Sequence, residues 1–100
     1  MMELILATMI ATSDVKVEID SISVEHQTPE VMLKVTNAGT RFARSVFIDC
    51  VFFDEERKAV DIGKALIRDL GPNQTKYGSA ATTKSTAHSV KCNAASVWPN

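Results

Sequence analysis

Apolar and polar positions alternate with a period of two along most of this chain, and that period is the mark of a half-buried strand. Val31, Leu33 and Val35 alternate with Met32, Lys34 and Thr36. Asn37-Ala38-Gly39 follows, a run of residues that accept positive φ in a turn. The next run, Val46 to Phe53, is apolar at seven of its eight positions, with Asp49 the exception. A run of that kind predicts a central strand covered on both faces, or nearly so.

Upstream, Asp14 to Glu25 reads as the first strand. Its apolar positions are odd at Val15, Val17 and Ile19, then even at Ile22 and Val24. A strand cannot change its buried face without an extra residue, so the pattern predicts a bulge at Asp20-Ser21. Such a break is a place where a first strand can pass from one sheet to the other. His26 to Pro29 is a turn. Downstream, Asp54 to Lys58 is a charged hairpin tip, and Val60 to Ile67 is a weaker strand in which Gly63 implies a bulge or a close backbone approach. Asp61 to Leu70 also admits a helical spacing, which Gly63 and the following Gly71-Pro72 oppose. Leu70-Gly71-Pro72-Asn73-Gln74 is a turn, with Pro72 fixing φ and Asn73 accepting a left-handed conformation. Thr75 to Thr83 is a strand of small residues around Tyr77. His88 to Ala94 alternates again with Val90, Cys92 and Ala94 on its apolar face, and Trp98 lies near the end. Six to seven short strands with turns at regular spacing predict an all-β antiparallel sandwich.

Composition narrows the picture without changing it. One hundred residues suffice for one domain and one core, and 45% hydrophobic with 23% charged residues is ordinary for a globular chain. A formal net charge of −1 gives no surplus for gripping a phosphate backbone, which argues against a nucleic-acid partner. No apolar run is long enough to span a bilayer as a helix. Residues 1–13 stand apart. Their apolar centre and small-residue tail resemble the end of an export signal, but Glu3 sits where a basic residue is expected. Two readings stand: a shortened export signal, or an added strand or short helix packed on the domain, whose body is residues 14–98.

The order of turns and strands resembles a known family. Val35-Thr36-Asn37-Ala38-Gly39, then Ala43-Arg44-Ser45-Val46, Phe52-Phe53-Asp54-Glu55-Glu56 and Leu70-Gly71-Pro72-Asn73-Gln74 resemble the FxLYD-type immunoglobulin-like sandwich. That family places a V-x-N-x-G turn before a V-x-V-x-V-x-F-x-D strand, and an L-x-P-G-x turn before a strand bearing an aromatic residue. Here Asn73 replaces the usual glycine, and Tyr77 is the aromatic. The likeness spans roughly residues 14–97 and consists of turn and core positions. It implies an immunoglobulin-like topology and a non-enzymatic extracytoplasmic accessory or binding domain of an envelope protein, with no catalytic residues.

In such a topology the third strand and the last long strand are neighbours, so Cys50 and Cys92, both on apolar faces, become a disulfide candidate. The alternative is two buried free thiols acting as small hydrophobes. His88 shares the face of Cys92, yet no close-spaced ligand pair accompanies it, so no metal site is expected. His26 reads as solvated. Asp49 is expected to point outward and pair with a cation such as Lys91. Asn73-Gln74-Thr75 matches the N-glycosylation triplet on an exposed turn. There is no phosphate-cradling loop, nucleophile elbow or catalytic triad spacing, and neither an enzyme nor a cofactor is expected.

The function expected from the sequence is protein interaction through strand edges or sheet faces. Thr75, Tyr77 and Ser79 form one candidate edge, and Leu4 and Leu6 another. The alternatives are an envelope chaperone or inhibitor that caps client strands, and a structural domain that forms homo-oligomers through Leu4–Ile10.

Overall fold

A computed structural model of the chain describes residues 10–25 and 28–99. After a single 3-10 turn at Thr12–Asp14, six strands follow: β1 (Val15–Glu25), β2 (Thr28–Asn37), β3 (Ala43–Phe53), β4 (Ala59–Leu70), β5 (Thr75–Ala81) and β6 (Ser89–Pro99). They form two antiparallel three-stranded sheets, ordered β1-β2-β5 and β4-β3-β6. The chain is thus the all-β sandwich that its period-2 pattern predicts. It crosses between layers at β2–β3, β4–β5 and β5–β6.

The core lies between β2 and β3, the central strand of each sheet. Val31, Leu33 and Val35 of β2 and Val46, Ile48, Cys50 and Phe52 of β3 point inward and are buried. Ile67 and Leu70 of β4 and Val97 of β6 complete the layer. Each such side chain contributes roughly 1.5–3 kcal/mol on leaving water. At the β4/β5 margin the sheets come so close that a Cβ on Gly63 would lie 2.9 Å from the Ala81 carbonyl oxygen. Gly63 therefore serves a close backbone approach, and the β3–β4 register runs through it without a shift.

Several expectations are met in detail. The β1–β2 register shifts between Ile19 and Ser21, where the change of parity requires a bulge. Asn73 has φ 63°, as its place in the turn implies. Asp61 to Leu70 is strand, not helix. His26, Leu4 and Leu6 lie outside the described residues.

Three expectations need correction. β1 does not change sheets: it pairs with β2 on both sides of its bulge, because Ile22 and Val24 remain in register with the inward-facing Val31 and Pro29. The turn after β2 does not use positive φ at Asn37 or Gly39. Asn37 is instead a buried hydrogen-bond hub. Finally, β3 is central in its sheet but covered on one face only. The described residues form two layers, 15 Å in their shortest extent, and contribute no third layer over Phe47, Val51 and Phe53.

Candidate interaction surfaces and the disulfide

Inward alternation on β3 puts Cys50 directly opposite Cys92 of β6, and the two are joined by a disulfide across adjacent strands. Their Cα atoms are 4.0 Å apart and 42 residues separate them in sequence. Cys50 is fully buried and Cys92 partly so. The bond ties β6, held otherwise among the described residues by its ladder with β3 and the Ile10 bridge at Val97, to the centre of its sheet. By loop entropy such a link stabilises the fold by roughly 3–4 kcal/mol. Neither sulfur is a free nucleophile or metal ligand. Among the described residues, no three His, Cys, Asp or Glu side chains converge on a metal site.

The same pleat that turns Cys50 inward turns its neighbours outward. On the outer face of β4-β3-β6, side chains fall into rows across the strands. Leu66 lies beside Phe47, Lys64 beside Asp49, and Ile62 beside Val51. Ser96, Asn93 and Lys91 of β6 extend these rows, and Trp98 adjoins Ser45 one row further on. Phe47 is 43% exposed, Ile62 56%, Leu66 40% and Trp98 45%. Large apolar side chains clustered on one face exceed what scattered surface hydrophobes require. Within them, the Lys64 ammonium donates to the Asp49 carboxylate at 2.9 Å. Asp49 therefore points outward as expected, but its partner is Lys64. The register sets Lys64 opposite it and moves Lys91 one row away, opposite Val51.

The candidate edge on β5 lies where the sequence puts it. Among the described residues β5 pairs only with β2, and Thr75, Tyr77 and Ser79 lie on its outward face. Tyr77 is opposite Lys34, and the Thr75 and Thr36 hydroxyls share a 2.9 Å hydrogen bond. The sheet here is polar, and Lys76 reaches across to donate to the Arg68 carbonyl at 2.9 Å. A second apolar surface opens at the other margin. Ile22 and Val24 of β1 sit on the inner face but stay exposed, forming a groove with Pro29, Phe52, Ala87 and Val90. His88 lines its mouth and is exposed. The outer edge of β6 beside the groove is bridged, among the described residues, only at Val97 by Ile10.

Polar groups hold the two ends of the sandwich. At one, the Asn37 side-chain amide donates to the Arg41 carbonyl at 2.7 Å and to the Leu70 carbonyl at 3.0 Å, while its oxygen accepts from the Gly39 amide at 2.9 Å. Its backbone bonds the β4–β5 turn through Gln74 and Asn73. At the other, the buried Thr82 hydroxyl donates to the Asp61 carboxylate at 2.6 Å and accepts from the Lys84 amide. That hydroxyl first, then the Ile62 amide and more weakly the Lys84 charge, hold the Asp61 carboxyl below the usual aspartate range, against a smaller opposing effect of burial. Both clusters are satisfied internally and connect turns to strands. Neither has the convergent, unpaired groups of a reactive centre.

No family model matches the chain, and neither does any curated protein or solved structure. No helix among the described residues is long and apolar enough to cross a membrane.

Proposed function

We propose that this chain is a non-enzymatic protein-interaction module that works outside the cytoplasm, and that it recognises protein through the outer face of the β4-β3-β6 sheet. The observation that carries the reading is the exposure of Phe47, Ile62, Leu66 and Trp98 on one sheet face. Desolvating such a face on contact is favourable, and aromatic side chains are the usual anchors of interfaces. The disulfide supports an oxidising compartment, where such bonds persist. The resemblance to FxLYD-type immunoglobulin-like domains points the same way.

A second reading is a chaperone or inhibitor that caps a client strand, and the β1/β6 margin favours it. A strand added along β6 between Ser89 and Ser96 lies next to the groove of Ile22, Val24 and Phe52. A photo-crosslinking amino acid placed in turn at positions 51, 34 and 24, in cells that make the protein, separates these readings. The face reading expects specific protein adducts from position 51 and none from position 34, which lies on the polar sheet. Adducts from position 24 alone transfer the function to the groove. Equal labelling at all three, or none at 51 and 24, overturns the interaction module.

A further inference from the structure

We infer that the partner of the apolar face is an acidic amphipathic helix of another protein, lying along the strands with its apolar stripe on Phe47, Leu66 and Trp98 and its carboxylates on Arg68 and Lys91. This names the partner of the surface proposed above and rests on that reading.

Charge decides the sign of the partner. From the row of Ser45 to the row of Val51 the face carries Arg68, Lys64 and Lys91 against one anion, Asp49. Its net charge is +2 on a chain whose formal total is −1, which leaves −3 on the remaining residues. Asp49 is committed to Lys64. Arg68 and Lys91 are exposed, and no ion pair among the described residues engages them. The borders are mixed, with Arg44 and Asp69 beyond one end and three carboxylates with two cations in residues 54–58 beyond the other. The positive excess therefore belongs to the apolar rows themselves. An acidic surface gains two charge contacts there and is steered to them, whereas a basic one is repelled.

Shape decides the form of the partner. A sheet face offers side chains only, because the backbone groups are spent in the ladders. An occupant must satisfy its own N–H and C=O groups, as a helix does internally. Strands about 4.8 Å apart put β4 and β6 about 10 Å from each other, the width of one helix. The strand from Ser45 to Val51 rises about 20 Å, the length of about 13 helical residues. Arg68, at one end on β4, and Lys91, at the other on β6, span this area diagonally. Carboxylates near the two ends of such a helix, on opposite sides of its stripe, meet both cations. The contact is below the standard interface size, so the complex is transient.

An anionic membrane offers the same charge and an apolar interior, but the centre of the face disfavours it. The Lys64–Asp49 pair crosses the patch between the Phe47 and Val51 rows, and a membrane would draw both charges towards its apolar boundary without partners. A helix sets a polar side chain against them.

The test uses Trp98, the only tryptophan of the chain, as reporter. The full chain, with a thermal melt to establish that each variant is folded, is titrated with three tryptophan-free peptides. One is an amphipathic helix of leucine and glutamate, one has lysine in place of glutamate, and one has the acidic composition with its stripe scrambled. The acidic amphipathic peptide shifts Trp98 emission to shorter wavelength and saturates. The other two bind at least about tenfold more weakly. R68E/K91E weakens the acidic peptide by about tenfold or more and admits the basic one, whereas R68K/K91R retains binding. No response to the acidic peptide, equal binding of either control, or indifference to R68E/K91E overturns the inference. So does a wild type that responds to vesicles of phosphatidylcholine with phosphatidylserine and to no peptide, which assigns the face to a membrane. If the inference falls while position 51 crosslinks to a protein, the partner chemistry is wrong and the interaction face stands. If neither peptide nor crosslink registers, both readings fall.

Discussion

The two sheets bury similar inner faces and differ on their outer ones. Outside β1-β2-β5, Glu18 stands opposite Lys34 and Lys34 opposite Tyr77, with the Thr36–Thr75 hydroxyl pair alongside. Outside β4-β3-β6, Phe47 stands opposite Leu66 and Val51 opposite Ile62, with one ion pair between them. Strand geometry imposes the alternation on both sheets equally, and the core dictates only what faces inward. The outward residues are free of that demand. On the first sheet they are mostly what water selects, with Met32 and Tyr77 the large exceptions. On the second they are not, and that sheet is also the one with a covalent cross-link. The apolar outer face is therefore a property that needs its own cause, whereas the polar one needs none.

The largest effect is expected from removing that cross-link. Replacing both Cys50 and Cys92 with alanine lowers stability by roughly 3–4 kcal/mol in denaturant unfolding, in line with the length of loop released. Native-state hydrogen exchange sharpens the contrast between the sheets. β6 amides lose protection well before those of β2, since among the described residues β6 keeps one ladder, with β3, and the single Ile10 bridge at Val97, while β2 is paired on both sides. Uniform loss across both sheets removes the idea that the bond stiffens one sheet in particular.

Asn37→Ala follows, at about 2–3 kcal/mol. The variant leaves the buried Leu70 carbonyl and the Arg41 carbonyl without the amide that serves them, and such orphaned groups cost more than the bond itself contributed. Because Asn37 ends β2 in one sheet and bonds the end of β4 in the other, the loss falls on both sheets alike. Hydrogen exchange in this variant is expected to rise in step in β2 and β4, which distinguishes it from the disulfide variant.

These two residues mark what the sequence can and cannot say. The sandwich was legible because alternation at Val31–Val35, the parity break at Ile19/Ile22 and the turn at Leu70–Gln74 are local signals with local causes. Cys50 and Cys92 could be placed on apolar faces by parity, but their pairing depended on which strands are neighbours. Asn37 reads as a turn residue because Asn-Ala-Gly fits a turn. That its side chain serves Leu70, 33 residues away, is a tertiary fact with no local trace. The apolar outer face was present in the sequence all along: Phe47, Val51, Ile62 and Leu66 occupy the wrong parity for a two-layer fold. Within Val46–Phe53 the apolar run reads as a doubly covered strand, and Ile62 and Leu66 read as helix-like spacing, because periodicity cannot count layers.

The smallest effect concerns Asp61, at the margin where β4 meets the segment after β5. Its carboxyl is held below the usual aspartate range chiefly by the Thr82 hydroxyl, with the Ile62 amide and Lys84 assisting. A carboxyl whose folded value is depressed stabilises the fold at pH above the unfolded value of about 3.9, and that contribution disappears as the pH falls through the folded value. Thr82→Val removes the first cause while retaining the shape of a buried side chain. Melting temperatures of wild type and T82V are therefore expected to differ most near neutral pH and to converge as the solution is acidified below the ordinary aspartate range. Asp61 is exposed enough that the pH-dependent part is small, and a gap between the two curves that stays constant with pH assigns the loss to packing at Thr82 alone.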